Sequence, residues 1–346
     1  MRHAKRVIGR LGVLVLLFSG APSGGLPAAE RLVGIYSARV MSQSMPWIAQ
    51  EAGLFQKHNL DFRLVYIASS GMVTAAMLGG DAEVCLTGGV GNVRAYVQGA
   101  TDLVFIGNVK NIMTQSILAG GAIKKPTDLK GKKIGVTRIG SNTHYFTIQA
   151  LRRAGLNPDR DITFIQTGGE FETLAALIKG AIHAATMTAP GDAKAIAQGF
   201  HYVVYGPELR IPYAATTFGT RRSIINRRPQ AVGAFMRAMA EAAKILHTDR
   251  EFTYRVLARQ LRVDDRKILD AAYNAEIRAL EPRMEIRVEA LQATLDEISQ
   301  IDARAKNVKP EELFDRRYLD EMEASGFFDR LWGKDGRKDA REFIGK

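Results

Sequence analysis

The chain has 346 residues, 46% of them hydrophobic, and a formal net charge of +12. That length favours two domains over one, and the hydrophobic content excludes a disordered chain. One cysteine excludes an internal disulfide, the six histidines show no ligand spacing, and neither metal nor cofactor is expected.

Residues 1–29 hold Arg2, Lys5, Arg6 and Arg10 and no acid. An apolar run, Leu11 to Phe18, follows, and then a small, turn-rich stretch, Ser19 to Ala29. This is the layout of a secretory signal peptide, with cleavage expected near Ala29. The apolar run is far short of the roughly 20 residues that span a bilayer. The mature protein is therefore expected to be soluble and periplasmic, with four of the twelve excess charges removed. The next 191 residues (30–220) carry 18 basic and 13 acidic side chains, a mild bias expected to favour anions. Five lysines cluster at Lys124, Lys125, Lys130, Lys132 and Lys133 around Pro126 and Gly131. No aromatics interleave with them, so a solvated loop is expected and no nucleic-acid partner.

Glycine then divides the mature chain, with 23 in residues 30–220 and five in 221–346. The first part reads as short elements joined by tight turns, the second as mainly helical. Leu32 to Tyr36 and Lys133 to Thr137 are strand-like runs near 100 residues apart. Each is followed by a helix (Met45–Gln56, Asn142–Ala154) that stops at Ala-Gly-Leu, where glycine suits a helix end. Next come a strand (Asp61–Ile67, Asp161–Gln166), a small polar loop (Ala68 to Gly71, Thr167 to Glu170), a second helix and a third strand (Glu83–Leu86, Ala184–Met187). Each copy is a strand–helix–strand–helix–strand unit, which predicts two α/β lobes with parallel sheets. Ser116 to Leu118 and Ile211 to Thr220 read as two crossings that form a hinge. The expected organisation is a signal peptide over 1–29, lobe 1 over 30–115, lobe 2 with the crossings over 116–215, and a return to lobe 1 with helices over 216–346. Phe235, Met239, Ala242 and Ala243 share a helical face, as do Leu291, Leu295 and Ile298, and these are expected to be core.

Ligands of open parallel sheets bind beyond the carboxyl ends of the strands, at helix N-termini with unpaired N–H groups. The loops there offer Arg39, Ser42, Ser44 and Trp47, then Ser70 and Gly71, then Thr87 and Gly88. The second copy offers Ser141, Asn142 and Thr143, then Thr167 to Glu170, then Thr188. Small residues admit a ligand to the backbone, and hydroxyls hydrogen-bond it. The same hydroxyls also suit helix caps, and Thr167 with Glu170 matches a capping box. Arg39 is the expected partner for a ligand anion and Trp47 an apolar wall. Catalytic patterns are missing: no HExxH, no P-loop, no GxSxG, and the glycine spacing at Gly88 to Gly91 is wrong for a dinucleotide. Cys85 sits in a strand run and reads as buried. His144 lies near Ser141 without a third partner.

Pro46 to Phe55 with Leu60-Asp61, Gly80-Asp81-Ala82 and Asp128 to Val136 resemble periplasmic substrate-binding proteins of the nitrate/sulfonate/taurine transport class. These share a domain with thiamine-pyrimidine synthesis proteins. The resemblance covers roughly residues 33–245. It implies a two-lobed type II periplasmic binding-protein fold with the helical C-terminal segment packed on lobe 1. It also implies a cleft lined by the loops at Ser42–Trp47, Ser70-Gly71, Thr87-Gly88, Ser141–Thr143 and Thr188, and an inner-membrane ABC permease as partner. The cysteine-rich signature of the pyrimidine-synthesis enzymes is absent. A monomeric, non-enzymatic solute-binding protein for a small organic anion is expected. The alternative is an enzyme on the same fold, a lyase or decarboxylase.

Overall fold

The computed structural model describes residues 28–333; the expected signal peptide lies almost wholly outside them. Ten strands form two five-stranded sheets. The first contains β1 (Glu30–Tyr36), β2 (Leu60–Tyr66), β3 (Val84–Thr87), β4 (Leu103–Ile112) and β10 (Pro212–Arg221). The second contains β5 (Ser116–Ala119), β6 (Lys132–Val136), β7 (Ile162–Gln166), β8 (Ala184–Met187) and β9 (His201–Val204). Their orders are β2-β1-β3-β10-β4 and β7-β6-β8-β5-β9, the same arrangement twice. The repeat extends to packing. A side chain on Gly34 would overlap the Phe62 ring, and one on Gly135 the Ile182 side chain. The glycine of each first strand thus leaves room for an apolar group of its own lobe.

Two expectations need correction. Each sheet is parallel through its first three strands but mixed beyond them, because β10 pairs antiparallel with β3 and β5 with β8. The crossing segments bring backbone N–H and C=O groups into the interior, and the sheet ladders satisfy them. The helix expected over Met45–Gln56 is two, Met45–Glu51 and Leu54–Lys57, broken where Gly53 turns left-handed (φ 67°).

The C-terminal helices cover the first sheet. Helix Pro229–Thr248 brings Phe235 against Phe62 and Phe218, with ring centroids at 5.3 and 5.7 Å. Met239, Ala242 and Ala243 are buried beside it, and helix Val288–Ser299 buries Leu291, Leu295 and Ile298. The segment also reaches the second lobe. Lys194 donates to the Leu261 carbonyl at 3.0 Å, and Arg152 pairs with Glu297 at 3.0 Å. At the end of β4 the Lys110 ammonium is buried against Glu276 at 2.8 Å and Thr114 at 2.5 Å, and Thr114 bonds the same carboxylate. Among the described residues no helix is long and apolar enough to cross a membrane.

Candidate functional site

The loops after β1, β2 and β3 meet those after β6, β7 and β8 at one cleft between the sheets. Ser42, Ser69, Ser70 and Gly88 line it from the first lobe. Ser141, Asn142, Thr143, Glu170 and Thr188 line it from the second, and Gln115 and Thr216 come from the crossings. The lobes touch across it: Asn142 Nδ2 donates to the Ala215 carbonyl at 2.6 Å, and the Met41 N–H to that of Ala189 at 3.4 Å. The remaining cavity is about 40 Å³, room for a few water-sized groups.

Some lining groups are spent on local structure. Gln43 Oε1 accepts the N–H groups of Ser37 and Ala38 at 2.9 and 3.0 Å, which fixes the turn after β1. Ser141 caps helix Asn142–Arg153 and donates from Oγ to the Arg138 carbonyl at 2.7 Å. The Thr143 hydroxyl accepts the Thr137 N–H at 2.9 Å. Others have no protein partner: Ser69 Oγ, Ser70 Oγ, Gln115 Oε1 and Asn142 Oδ1 are buried and unbonded. Leaving such atoms unpaired costs roughly 1–3 kcal/mol each, and they come from both lobes and a crossing.

The structure brings Ser42, Ser70, Gly88, Ser141, Asn142, Thr143 and Thr188 into this lining. It places five expected residues elsewhere. Arg39 is half-buried, with its guanidinium 5.0 Å over the Tyr66 ring, in a side groove with Phe171 and Lys194 that adjoins the cleft through Val40, Glu170 and Thr188. Trp47 is 2% exposed and packs edge-on to Tyr36 within the core. Ser44 and Thr87 are buried outside the cleft lining. Gly71 is exposed at its helix start, with open space around it. Gln115 and Thr216 were not expected in the cleft, because a strand-like crossing carries no local sign of what it faces.

Glu170 belongs to the loop Thr167 to Glu170, which is expected among the site loops and also to cap its helix. The capping box with Thr167 does not form: Gly169 is the cap residue, and the Thr167 hydroxyl donates to the Val136 carbonyl at 3.0 Å. The Glu170 carboxylate turns to the cleft and accepts the Thr188 N–H at 3.4 Å. Burial pushes it up to about 7, opposed by its bonds to Thr188. Among the described residues it is the only ionisable side chain in the lining, which holds no lysine or arginine.

Two other candidates for chemistry are structural. Burial pushes the Cys85 thiol up to about 12, away from the cleft. Burial, then the nearby Arg94 charge, brings His144 down to about 4; its Nδ1 accepts the Gly140 N–H at 3.1 Å and its ring stands edge-on to Phe164. Among the described residues no cluster of His, Cys, Asp and Glu could hold a metal.

Gly88 marks where the lobes meet most closely. A Cβ there would overlap the Asn142 amide. Gly88→Ala is expected to push the lobes apart at this contact, because its Cβ meets only the Asn142 side chain of the other lobe. Small-angle scattering should show a more open molecule than the parent, and ligand affinity should fall at least about tenfold.

A family model described as NMT1/THI5 like matches residues 44–251. A protein of Brucella abortus (strain 2308), named as a candidate binding protein, is 27% identical over 247 residues, which span 70% of this chain and 75% of the relative. The alkanesulfonate-binding protein SsuA from Xanthomonas axonopodis pv. citri, solved with MOPS bound, superposes with a TM-score of 0.68 at 20% identity, over 83% of this chain and 96% of that one. The desulfurization enzyme DSZB superposes with a TM-score of 0.66 at 15% identity, over 86% and 99%.

Proposed function

Because the chain belongs to the NMT1/THI5-like family and has the periplasmic binding-protein fold, we propose that it is the exported, monomeric solute-binding component of an ABC importer for a small organic anion. Residues 30–115 and the return, which enters the first sheet at Pro212 rather than at 216, make one lobe, and 116–211 the other. The carrying observation is the set of four unbonded polar atoms, from Ser69, Ser70, Gln115 and Asn142, that converge on one interlobe cleft. A ligand bonded by all four satisfies both lobes at once and holds them closed.

Helices Ser70–Gly79, Asn142–Arg153 and Glu170–Ile178 all start at the cleft. Each contributes a partial positive charge of about one half at its N-terminus, enough to hold an anionic group without a cationic side chain. The small cavity suits a headgroup of a few heavy atoms, with the rest of the solute admitted as the lobes part. The likeness to DSZB supports an enzyme as second reading. Against it, the one thiol is buried outside the cleft and His144 is held neutral in a structural contact.

Calorimetry with sulfonates, aromatic carboxylates, nitrate and pyrimidines tests the reading. One class should bind at one site per chain, and Ser70→Ala and Asn142→Ala should each weaken it about tenfold. Turnover of a bound compound, or binding untouched by both substitutions, would overturn it.

A further inference from the structure

The positive charge of the lobes does not lie at the cleft. The first 86 residues after the expected leader (30–115) carry six basic and six acidic side chains, whereas residues 116–204 carry eleven and six. The topology gathers that excess at the end of the second sheet away from the cleft. Strands β6, β7 and β8 begin there, β5 ends there with Ala119 opposite Ala184, and β9 starts there with His201 opposite Ala119. Contacts tie this end together. The Gly131 N–H donates to the Asp161 carbonyl at 2.6 Å, and the Lys133 N–H to His183 Nδ1 at 3.0 Å.

Lys124, Lys125, Lys132 and Lys133 lie on the loop and strand start, and Arg153, Arg160 and Lys179 where helices end or strands begin. All but Lys132 are exposed, and Lys132 is partly so. Lys130 is matched by Asp161 and Arg152 by Glu297, whereas none of these seven makes an ion pair with a described residue. The other acids there are Asp128, whose carboxylate holds the Lys124 and Lys125 N–H groups, and Asp159.

We propose that this end of the second lobe is a docking surface for an anionic phospholipid membrane. None of the seven cations lies over an aromatic ring of a described residue, so they do not form the interleaved stacking platform of a nucleic-acid site. What it offers is dense charge beside two exposed aliphatic residues, Ile178 (49% exposed), which precedes Lys179, and Ile196 (39%), near the end of the helix that leads into β9. A fluid anionic surface needs no shape complement, and each cation near it strengthens binding roughly fivefold at low salt. Docking this way leaves the cleft, at the opposite end of the same sheet, open to solvent. The inference does not rest on the ligand reading.

The test is co-sedimentation of the protein, purified from its host, with phosphatidylcholine vesicles and with vesicles in which about a third is phosphatidylglycerol. Binding is expected only to the second, and it should vanish at high salt. Substituting Lys124→Glu, Lys125→Glu, Lys132→Glu and Lys133→Glu together should weaken it at least about tenfold. The same number of exposed cations reversed in the C-terminal segment (Arg262, Lys267, Arg278 and Lys306) should leave it largely intact. Melting curves check that both variants fold. Equal binding to both vesicles, equal loss in both variants, or duplex DNA retained as tightly through the same lysines would overturn the proposal.

Discussion

Glu276→Gln is expected to lower the unfolding free energy by about 3–5 kcal/mol, the range for breaking a buried ion pair from one side. The magnitude follows from what stays behind. The side chains of Lys110 and Glu276 are each 1% exposed, and the Lys110 ammonium reaches only the carboxylate and the Thr114 hydroxyl. A neutral amide at 276 leaves an ammonium buried with no carboxylate in contact, so the lysine must deprotonate or the hinge end of β4 must open to water. The double variant Lys110→Met with Glu276→Leu removes both charges and should lie within about 1–2 kcal/mol of the parent. A surface control makes the contrast. Arg31 and Asp61 pair at 3.2 Å with side chains 88% and 60% exposed, and Asp61→Asn should cost under about 1 kcal/mol. Urea unfolding followed by tryptophan fluorescence measures all three. A loss for Glu276→Gln no larger than for Asp61→Asn would show that water reaches the pair.

Much of this fold was legible because the chain states it twice. The glycines of the two first strands, the Ala-Gly-Leu stops and the paired second helices recur at one offset, and the sheets repeat one strand order. The apolar faces around Phe235 and Leu291 were also readable, since a 3.6-residue period needs no knowledge of the partner surface. What escaped were the non-local choices. Nothing around Ser116 or Ile211 says that a crossing will enter the sheet as an antiparallel strand. At the site, loop hydroxyls were predictable from topology, but which stay unbonded depends on neighbours far along the chain. Ser141 and Thr143 are occupied by Arg138 and Thr137, whereas Ser70 and Asn142 keep a free oxygen. For Arg39 and Trp47 the sequence offers only the side-chain type as a sign of a ligand. Arg39 instead finds the Tyr66 ring, and Trp47 is drawn into the core by the burial it gains there.

Affinity for a monovalent organic anion is expected to fall by close to tenfold for each pH unit above about 7, and to level off below it. Glu170 is the source of the effect. Burial pushes its carboxyl up to about 7, so in the empty cleft it is neutral below that pH and carries a negative charge above it. A bound anion a few ångströms away raises it further, so binding above pH 7 takes up one proton, and linkage sets the slope. Nearby ionisable groups act less directly. Asp192, also pushed up by burial, to about 6, is bonded to the Tyr202 hydroxyl at 3.0 Å, and Lys110 draws Glu170 the other way. His144, brought down to about 4, stays neutral throughout. Glu170→Gln should therefore abolish most of the slope and keep the low-pH affinity at all pH values, measured by calorimetry between pH 6 and about 9. The sign discriminates between ligand classes. With no cation in the lining, the helix N-termini favour an anion only while Glu170 is uncharged. A solute bearing an ammonium group would gain, not lose, as the carboxylate ionises. Affinity that rises with pH in the parent and is lost in Glu170→Gln would thus exclude the anion reading while leaving the solute trap itself intact.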